Sequence, residues 1–225
     1  MVDAELYHPA VRSLIIAGIA LASTACGLGS SSPAPDLPPW KMTKDGRGVE
    51  VRFLEKAPYV YMYALDGTLR QINLDSNGDR KPDLFAYFSG RSTPDSLEID
   101  ENRDGRIDRW EEYNADGKMI RFSTSAKGAI PDRFVTLDPA TGSTQQVETD
   151  ADHDGRRERL EVFSAGRLSR AEIDTNADGK RDRIQDWSPG YLLSEEIDRD
   201  GDGKPDVRIL HTKTGAIQKV ERLTR

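Results

Sequence analysis

From about residue 49 onward the chain repeats one short acidic pattern every two dozen residues, and such a repeat restricts the fold more than composition does. The clear copies are 75–86 (DSNGDRKPDLFA), 100–111 (DENRDGRIDRWE), 150–161 (DADHDGRRERLE), 174–185 (DTNADGKRDRIQ) and 198–209 (DRDGDGKPDVRI). Their first aspartates are spaced 25, 50, 24 and 24 residues apart, so one copy is missing near residue 124. The stretch there, 124–132 (TSAKGAIPD), keeps Pro131-Asp132 in register with Pro82-Asp83 and Pro205-Asp206 but has lost its acidic positions.

A second register runs between the first. Gly67, Gly90, Gly117, Gly142, Gly166, Gly190 and Gly215 follow one another at 23 to 27 residues, most of them behind a turn-former or small residue. Each lies between short β-prone stretches such as 84–88 and 96–99, and Asp-Gly-like pairs supply the positive φ that hairpin turns require. The unit is acidic loop, strand, tight turn, strand. Only about five residues separate each acidic loop from the next turn glycine, too few for a stable helix. The expected fold class is therefore all-β: an antiparallel β-hairpin repeat meander, as a curled sheet, barrel or solenoid-like ribbon, with the acidic loops along one edge. Seven turns imply up to fourteen strands. Phe85, Trp110, Phe134, Leu160 and Ile184 recur at one strand position and are expected to form an apolar ladder; Phe88, Tyr113, Leu137, Phe163 and Trp187 would face the other side.

The loops have a chemical reading of their own. Acidic or amide residues at positions 1, 3, 5 and 9 surround a residue at position 6 that is usually Gly. Ca²⁺ takes six to eight hard oxygens, and alternate residues of a tight loop turn their carboxylates inward. Position 7 offers a backbone carbonyl whatever its side chain, which accounts for Lys81, Arg106, Arg156, Lys180 and Lys204 there. Several carboxylates converging on one loop repel unless a cation sits among them. The alternative is a run of solvated acidic turns, since Asp, Asn and Gly favour turns in any case. Zinc and iron are disfavoured by a single cysteine and isolated histidines.

In ligand spacing, though not in flanking structure, these loops resemble those of EF-hands, dockerins and thrombospondin type 3 repeats across residues 75–209. The resemblance implies up to five calcium ions. Asp100, Asn102, Asp104, Arg106 (through its carbonyl), Asp108 and Glu111 would hold one, and Asp150, Asp152, Asp154, Arg156 (carbonyl), Glu158 and Glu161 another. Asp174, Asn176, Asp178, Lys180 (carbonyl) and Asp182 form the next set, and Asp198, Asp200, Asp202, Lys204 (carbonyl) and Asp206 the last. The first copy offers Asp75, Asn77, Asp79 and Asp83. The sequence departs from the EF-hand pattern at position 12, where Ala86, Gln185 and Ile209 replace the glutamate, and at position 6 of the first loop, where Arg80 replaces Gly.

The amino terminus carries a separate message. Residues 14–22 (LIIAGIALA) are too short to cross a hydrocarbon core but suit the apolar region of a secretory signal. They run into 21–27 (LASTACG), which resembles the lipobox of bacterial lipoproteins and implies cleavage before Cys26, the single cysteine, and its lipidation. Gly27 after the cysteine resembles the outer-membrane sorting pattern. Residues 1–25 are thus expected to be a lipoprotein signal peptide, 26–48 a lipidated cysteine with a Gly/Ser/Pro-rich linker, and 49–225 the repeat domain. The expected location is outside the inner membrane, lipid-anchored to the envelope, with the outer membrane as the destination.

With 39 Asp and Glu against 32 Lys and Arg in 225 residues, the net charge is −7, which argues against a nucleic-acid partner. No nucleophile motif or phosphate loop is present. The expected function is a calcium-binding cell-envelope lipoprotein with a structural or adhesive, non-enzymatic role. The alternative is a calcium-rigidified carbohydrate- or protein-recognition module whose platform would be Trp40, Tyr61, Tyr63, Tyr113 and Trp187.

Overall fold

The structure, a computed structural model, describes residues 41–45 and 47–223. The expected signal peptide, Cys26, most of the linker and Trp40 lie outside the described residues. Sixteen strands and no helix occur among those described: β1 (Lys41–Lys44), β2 (Glu50–Lys56), β3 (Tyr59–Tyr63), β4 (Leu69–Leu74), β5 (Leu84–Tyr87), β6 (Ser96–Ile99), β7 (Arg109–Tyr113), β8 (Met119–Thr124), β9 (Arg133–Leu137), β10 (Thr144–Thr149), β11 (Arg159–Ser164), β12 (Arg167–Ile173), β13 (Arg183–Ser188), β14 (Tyr191–Ile197), β15 (Val207–His211) and β16 (Ile217–Arg222). They pair in chain order from β1 to β16 without a crossover, the order of an open antiparallel meander. Strand pairing already begins at Lys41, because 45–49 is itself a hairpin turn: Gly48 donates to the Asp45 carbonyl at 2.9 Å and Asp45 to that of Val49 at 2.9 Å.

The glycine turns behave as turn chemistry dictates. In 64–68, 114–118 and 212–216 the glycine donates to the carbonyl three residues earlier and has positive φ (Gly67 89°, Gly117 74°, Gly215 84°). Ala165-Gly166 closes β11 on β12 with both φ values positive, 49° and 72°, as a two-residue hairpin needs.

The chain divides into two compact units, the first ending at Ile120 and the second beginning at Arg121. In the first, Tyr61, Ile72, Leu74, Leu84, Ala86, Phe88, Leu97, Ile99 and Tyr113 gather into one core, with Leu54, Tyr59, Tyr63, Leu69 and Met119 packed against it. The row Tyr61–Ile72–Ala86–Leu97–Glu111 runs across five strands through direct cross-strand partners. The buried column of this unit therefore holds position 12, Ala86 and Glu111, with Leu84 from position 10 buried beside it. Position 11, expected as the apolar ladder, is half-buried, because its cross-strand neighbours are glutamates: Phe85 and Trp110 both face Glu98. A ladder whose alternate rungs are carboxylates cannot be driven from water.

The second unit buries fewer apolar side chains, Val135, Val147, Ala171 and Val207 among them. Its position-11 row reads Phe134–Glu148–Leu160–Glu172–Ile184–Glu196, one cross-strand pair after another. Guanidinium groups cover it. Arg157 donates to Glu148 at 2.8 Å and lies 3.9 Å from the centre of the Phe134 ring; Arg170 bridges Glu172 and Asp186, each at 3.0 Å; Arg181 reaches Glu172 at 3.2 Å, and Arg208 pairs with Glu196.

Burial pushes the Glu172 carboxyl up, but Arg170 and Arg181 outweigh it and hold it below its ordinary value. A carboxyl lowered in the folded state stabilises the fold above its unfolded pKa and ceases to do so as pH falls through the folded value. Glu172→Gln should therefore lower stability at neutral pH and flatten the loss of stability between about pH 5 and 3, a difference readable in urea melts at a series of pH values.

Candidate metal centre

Five bends carry the acidic pattern: 75–83, 100–108, 150–158, 174–182 and 198–206. Each connects an even-numbered strand to the next odd-numbered one, so within each unit the bends emerge on the same edge. Their backbones share one conformation, with left-handed residues at positions 4 and 6: Gly78 and Arg80, Arg103 and Gly105, His153 and Gly155, Ala177 and Gly179, Gly201 and Gly203. Arg80 takes φ of 71° at the position where the other loops have glycine, so the first bend keeps its shape against a steric cost.

Side-chain oxygens hold this conformation. The position-1 carboxylate accepts the N–H of position 6: Arg80 to Asp75 at 2.8 Å, Gly105 to Asp100 at 2.7 Å, Gly155 to Asp150 at 3.0 Å, Gly179 to Asp174 at 2.7 Å and Gly203 to Asp198 at 2.7 Å. The position-9 carboxylate accepts the N–H of position 2: Ser76 to Asp83, Glu101 to Asp108, Ala151 to Glu158, Thr175 to Asp182 and Arg199 to Asp206, at 2.7–3.2 Å. Positions 3 and 5 make Asx turns, as in Asp154 to Asp152 at 3.1 Å and Arg156 to Asp154 at 2.7 Å. The backbone N–H groups of Arg106, Lys180 and Lys204 likewise donate to Asp104, Asp178 and Asp202.

Two loops bring their carboxylates together. One oxygen each from Asp150, Asp152, Asp154 and Glu158 lie within 4.8 Å of one another, as do oxygens of Asp198, Asp200 and Asp206. Asp150 is 3 % exposed, and its Oδ1 is buried without a hydrogen-bond partner while Oδ2 holds Gly155. A buried carboxylate oxygen with no donor is costly, and a hard cation held among the four carboxylates would satisfy it. Burial pushes the Asp198 carboxyl up, yet the N–H groups of Gly203, Gly201, Asp200 and Asp202 together hold it below the usual range, so it stays ionised. Each of these two donor sets fits a hard divalent ion.

The other expected ligands are placed differently. In 75–83, Asp83 is occupied by the Ser76 hydroxyl at 2.5 Å and the Asn77 amide at 3.4 Å, while Asn77 and Asp79 cap the N–H groups of Asp79 and Lys81. In 100–108, Asp104 donates its own N–H to Asp100 and Asn102, and Asp108 also accepts from Asn102. In 174–182, Thr175 donates its hydroxyl to Asp182 at 2.9 Å and Asn176 its amide to Asp178 at 3.3 Å. The position-12 glutamates lie in the strands: Glu111, 1 % exposed, is held by Arg109 at 2.6 Å and by the Tyr113 hydroxyl, and Glu161 by Arg159 at 2.8 Å.

The degenerate copy is a shorter bend. Asp132 donates to the Thr124 carbonyl at 3.0 Å, where Asp108 reaches back one residue further, to Ile99. Thr124 is thus the end of β8, and the loop is 125–132. Asp132 still caps a backbone N–H, that of Ala126, at 2.8 Å. At position 4 the sequence marks the left-handed residue where it is glycine, Gly78 and Gly201, and weakly at His153, whereas Arg103 and Ala177 have no preference for that conformation. Sequence reading missed the position-9 cap, although an acid seven residues after each position 2 was visible.

No protein-family model and no curated protein sequence matches the chain. Solved structures similar in part include Staphylococcus aureus TarM, as a G117R mutant in complex with fondaparinux, alpha-GlcNAc-glycerol and UDP (11 % identity, TM-score 0.36) and as TarM itself (12 %, 0.36), each over 44 % of this chain and 19 % of that one. The accessory secretory protein 1, 2 and 3 structure from Streptococcus pneumoniae aligns over 69 % of this chain and 21 % of that one, at 12 % identity and a TM-score of 0.24. The chain thus spans about a fifth of the length of each of these.

Since a left-handed non-glycine residue costs about 1–2 kcal/mol, partly offset by the flexibility glycine gives the unfolded chain, Arg80→Gly should stabilise the protein by about 0.5–1 kcal/mol in equilibrium denaturation.

Proposed function

We propose that the protein is a calcium-binding lipoprotein of the bacterial cell envelope, non-enzymatic, with a structural or adhesive role. The observation that carries the reading is the group Asp150, Asp152, Asp154 and Glu158, four converging carboxylates with one buried oxygen unpartnered. Hard oxygens without nitrogen or sulfur suit calcium better than zinc or iron. The group Asp198, Asp200 and Asp206 supports a second ion. In 75–83 and 174–182 the side chains of Ser76, Asn77, Thr175 and Asn176 would have to release the carboxylates first, so these two loops would bind more weakly.

The metal's role in this reading is structural. At a Kd of ~0.1 mM and ~1 mM Ca²⁺, each site stabilises the fold by about 1.4 kcal/mol, and two by about 3 kcal/mol. That is a large share of the stability of a unit with a thin apolar core. A carbohydrate- or protein-recognition platform has less support: of its proposed aromatics, Tyr61 and Tyr113 are buried at 2 % and 4 % exposure.

Calorimetric titration of chelator-stripped protein should show Ca²⁺ binding with the tightest site lost in Asp150→Asn, together with a Ca²⁺-dependent rise in melting temperature. An absence of binding heat and a melt indifferent to Ca²⁺ would sink the metal reading. The anchor is tested by labelling cells with a radioactive fatty acid: incorporation should require Cys26 and vanish in Cys26→Ala.

A further inference from the structure

The geometry points to β16 as a self-complementary edge through which two copies of this chain pair antiparallel, joining their sheets about a two-fold axis. Among the described residues β16 has one strand neighbour, β15. Leu223 donates its N–H to the Asp206 carbonyl at 2.7 Å, and the register sets Glu221 opposite Arg208 and Lys219 opposite Leu210. Residues that turn N–H and C=O toward a neighbour alternate along an antiparallel strand. Leu223, Glu221 and Lys219 therefore face β15, while Arg222 and Val220 turn their backbone groups outward. An edge of this kind is a template for another strand.

The side chains select the occupant. Placing Val220 of one copy opposite Val220 of the other puts two outward-facing residues in a reciprocally hydrogen-bonded pair on the axis. The same register sets Lys219 opposite Glu221 and Glu221 opposite Lys219, and Gln218 opposite Arg222. Opposite charges directly across a strand pair are favourable, and like charges unfavourable. Val220 is exposed at 58 %, large for an apolar residue in a strand, and the pairing covers it. The bulge in β16 between its partners Leu210 and His211 limits the regular part to the residues after Gln218. The contact is small, so the association is weak and concentration-dependent.

The other terminal strand lacks this property. Antiparallel self-pairing of β1 (KMTK) sets Lys41 against Lys44, and lysine at an edge discourages addition. An isologous contact at β16 alone closes after two copies.

The test uses the full chain carrying Cys26→Ser, so that no thiol contributes, in analytical ultracentrifugation over a wide concentration range. A monomer–dimer equilibrium is expected. Lys219→Glu and Glu221→Lys should each weaken it by about tenfold or more. The two single variants mixed, and the double exchange Lys219→Glu/Glu221→Lys in one chain, should restore it. Val220→Pro removes an outward N–H that β15 does not use, and should leave the melt largely intact while abolishing the dimer. A monomer at all concentrations overturns the proposal, as does a dimer indifferent to these changes. Growth beyond the dimer would assign the edge to β1 of another copy instead, and would equally overturn it.

Discussion

The carboxylate at the first position of each acidic bend is the element on which the rest of the architecture depends. By accepting the N–H of the sixth residue it holds a backbone that turns left-handed twice within three residues, and that bend lets one strand return alongside the previous one. The aspartate's own N–H extends the ladder at the same time: Asp100 donates to the Asp83 carbonyl at 2.8 Å, Asp174 to that of Glu158 at 2.7 Å and Asp198 to that of Asp182 at 2.9 Å. One residue therefore ends a strand, shapes the bend and starts the negative cluster. The charge is a consequence of the cap. Ser or Thr in its place would cap with one acceptor oxygen and without the charge.

The periodicity of the sequence contained nearly all of the topology. Acidic copies and turn glycines marked where strands end, and the structure puts strands between them throughout 69–211, with β16 after Gly215. The buried column was harder to read. Position 11 carries the large apolar residues Phe85, Trp110, Phe134, Leu160 and Ile184, and local pattern favours it, yet burial depends on what stands opposite, and that is a glutamate each time. Ala86 and Glu111 are small or charged, and are buried because Leu97 is their partner on the same face. Cross-strand register is a non-local property, and a single strand does not declare it.

The same distinction explains the metal ligands. Sequence spacing treats the five loops as equivalent, but two gather carboxylates within coordinating reach of one another, while in 75–83 and 174–182 neighbouring side chains donate to them. Asparagine at position 3 in 75–83, 100–108 and 174–182 replaces a carboxylate with a group that both donates and accepts. Ser76 and Thr175, at position 2, add hydroxyls that take up the position-9 oxygens. Where position 3 is aspartate, as in Asp152 and Asp200, and position 2 is Ala151 or Arg199, that short-range amide and hydroxyl chemistry is missing: the position-9 carboxylates of these loops accept the N–H of position 2, and the acidic groups lie within 4.8 Å of one another.

In the second unit, neighbouring bends are also tied to one another by the cations at position 7. Lys180 donates its ammonium to the Gly201 carbonyl at 3.1 Å, in the next loop, and the Arg156 guanidinium lies so close over Gly179 that a Cβ there would stand 3.0 Å from its Nη1. Arg156, Arg157 and Arg181 line, with Asp174, Asp178 and Gly179, an open pocket of about 550 Å³. Position 7 therefore serves two neighbours: its backbone N–H closes its own loop and its side chain reaches the following one. A cation bound in 150–158 would orient Asp154, the residue whose carboxylate accepts from Arg156 and lies 3.8 Å from its Nε. On the proposed metal binding, occupancy of one bend would bear on the order of the next through contacts that span one repeat, as nearest-neighbour coupling does in repeat arrays.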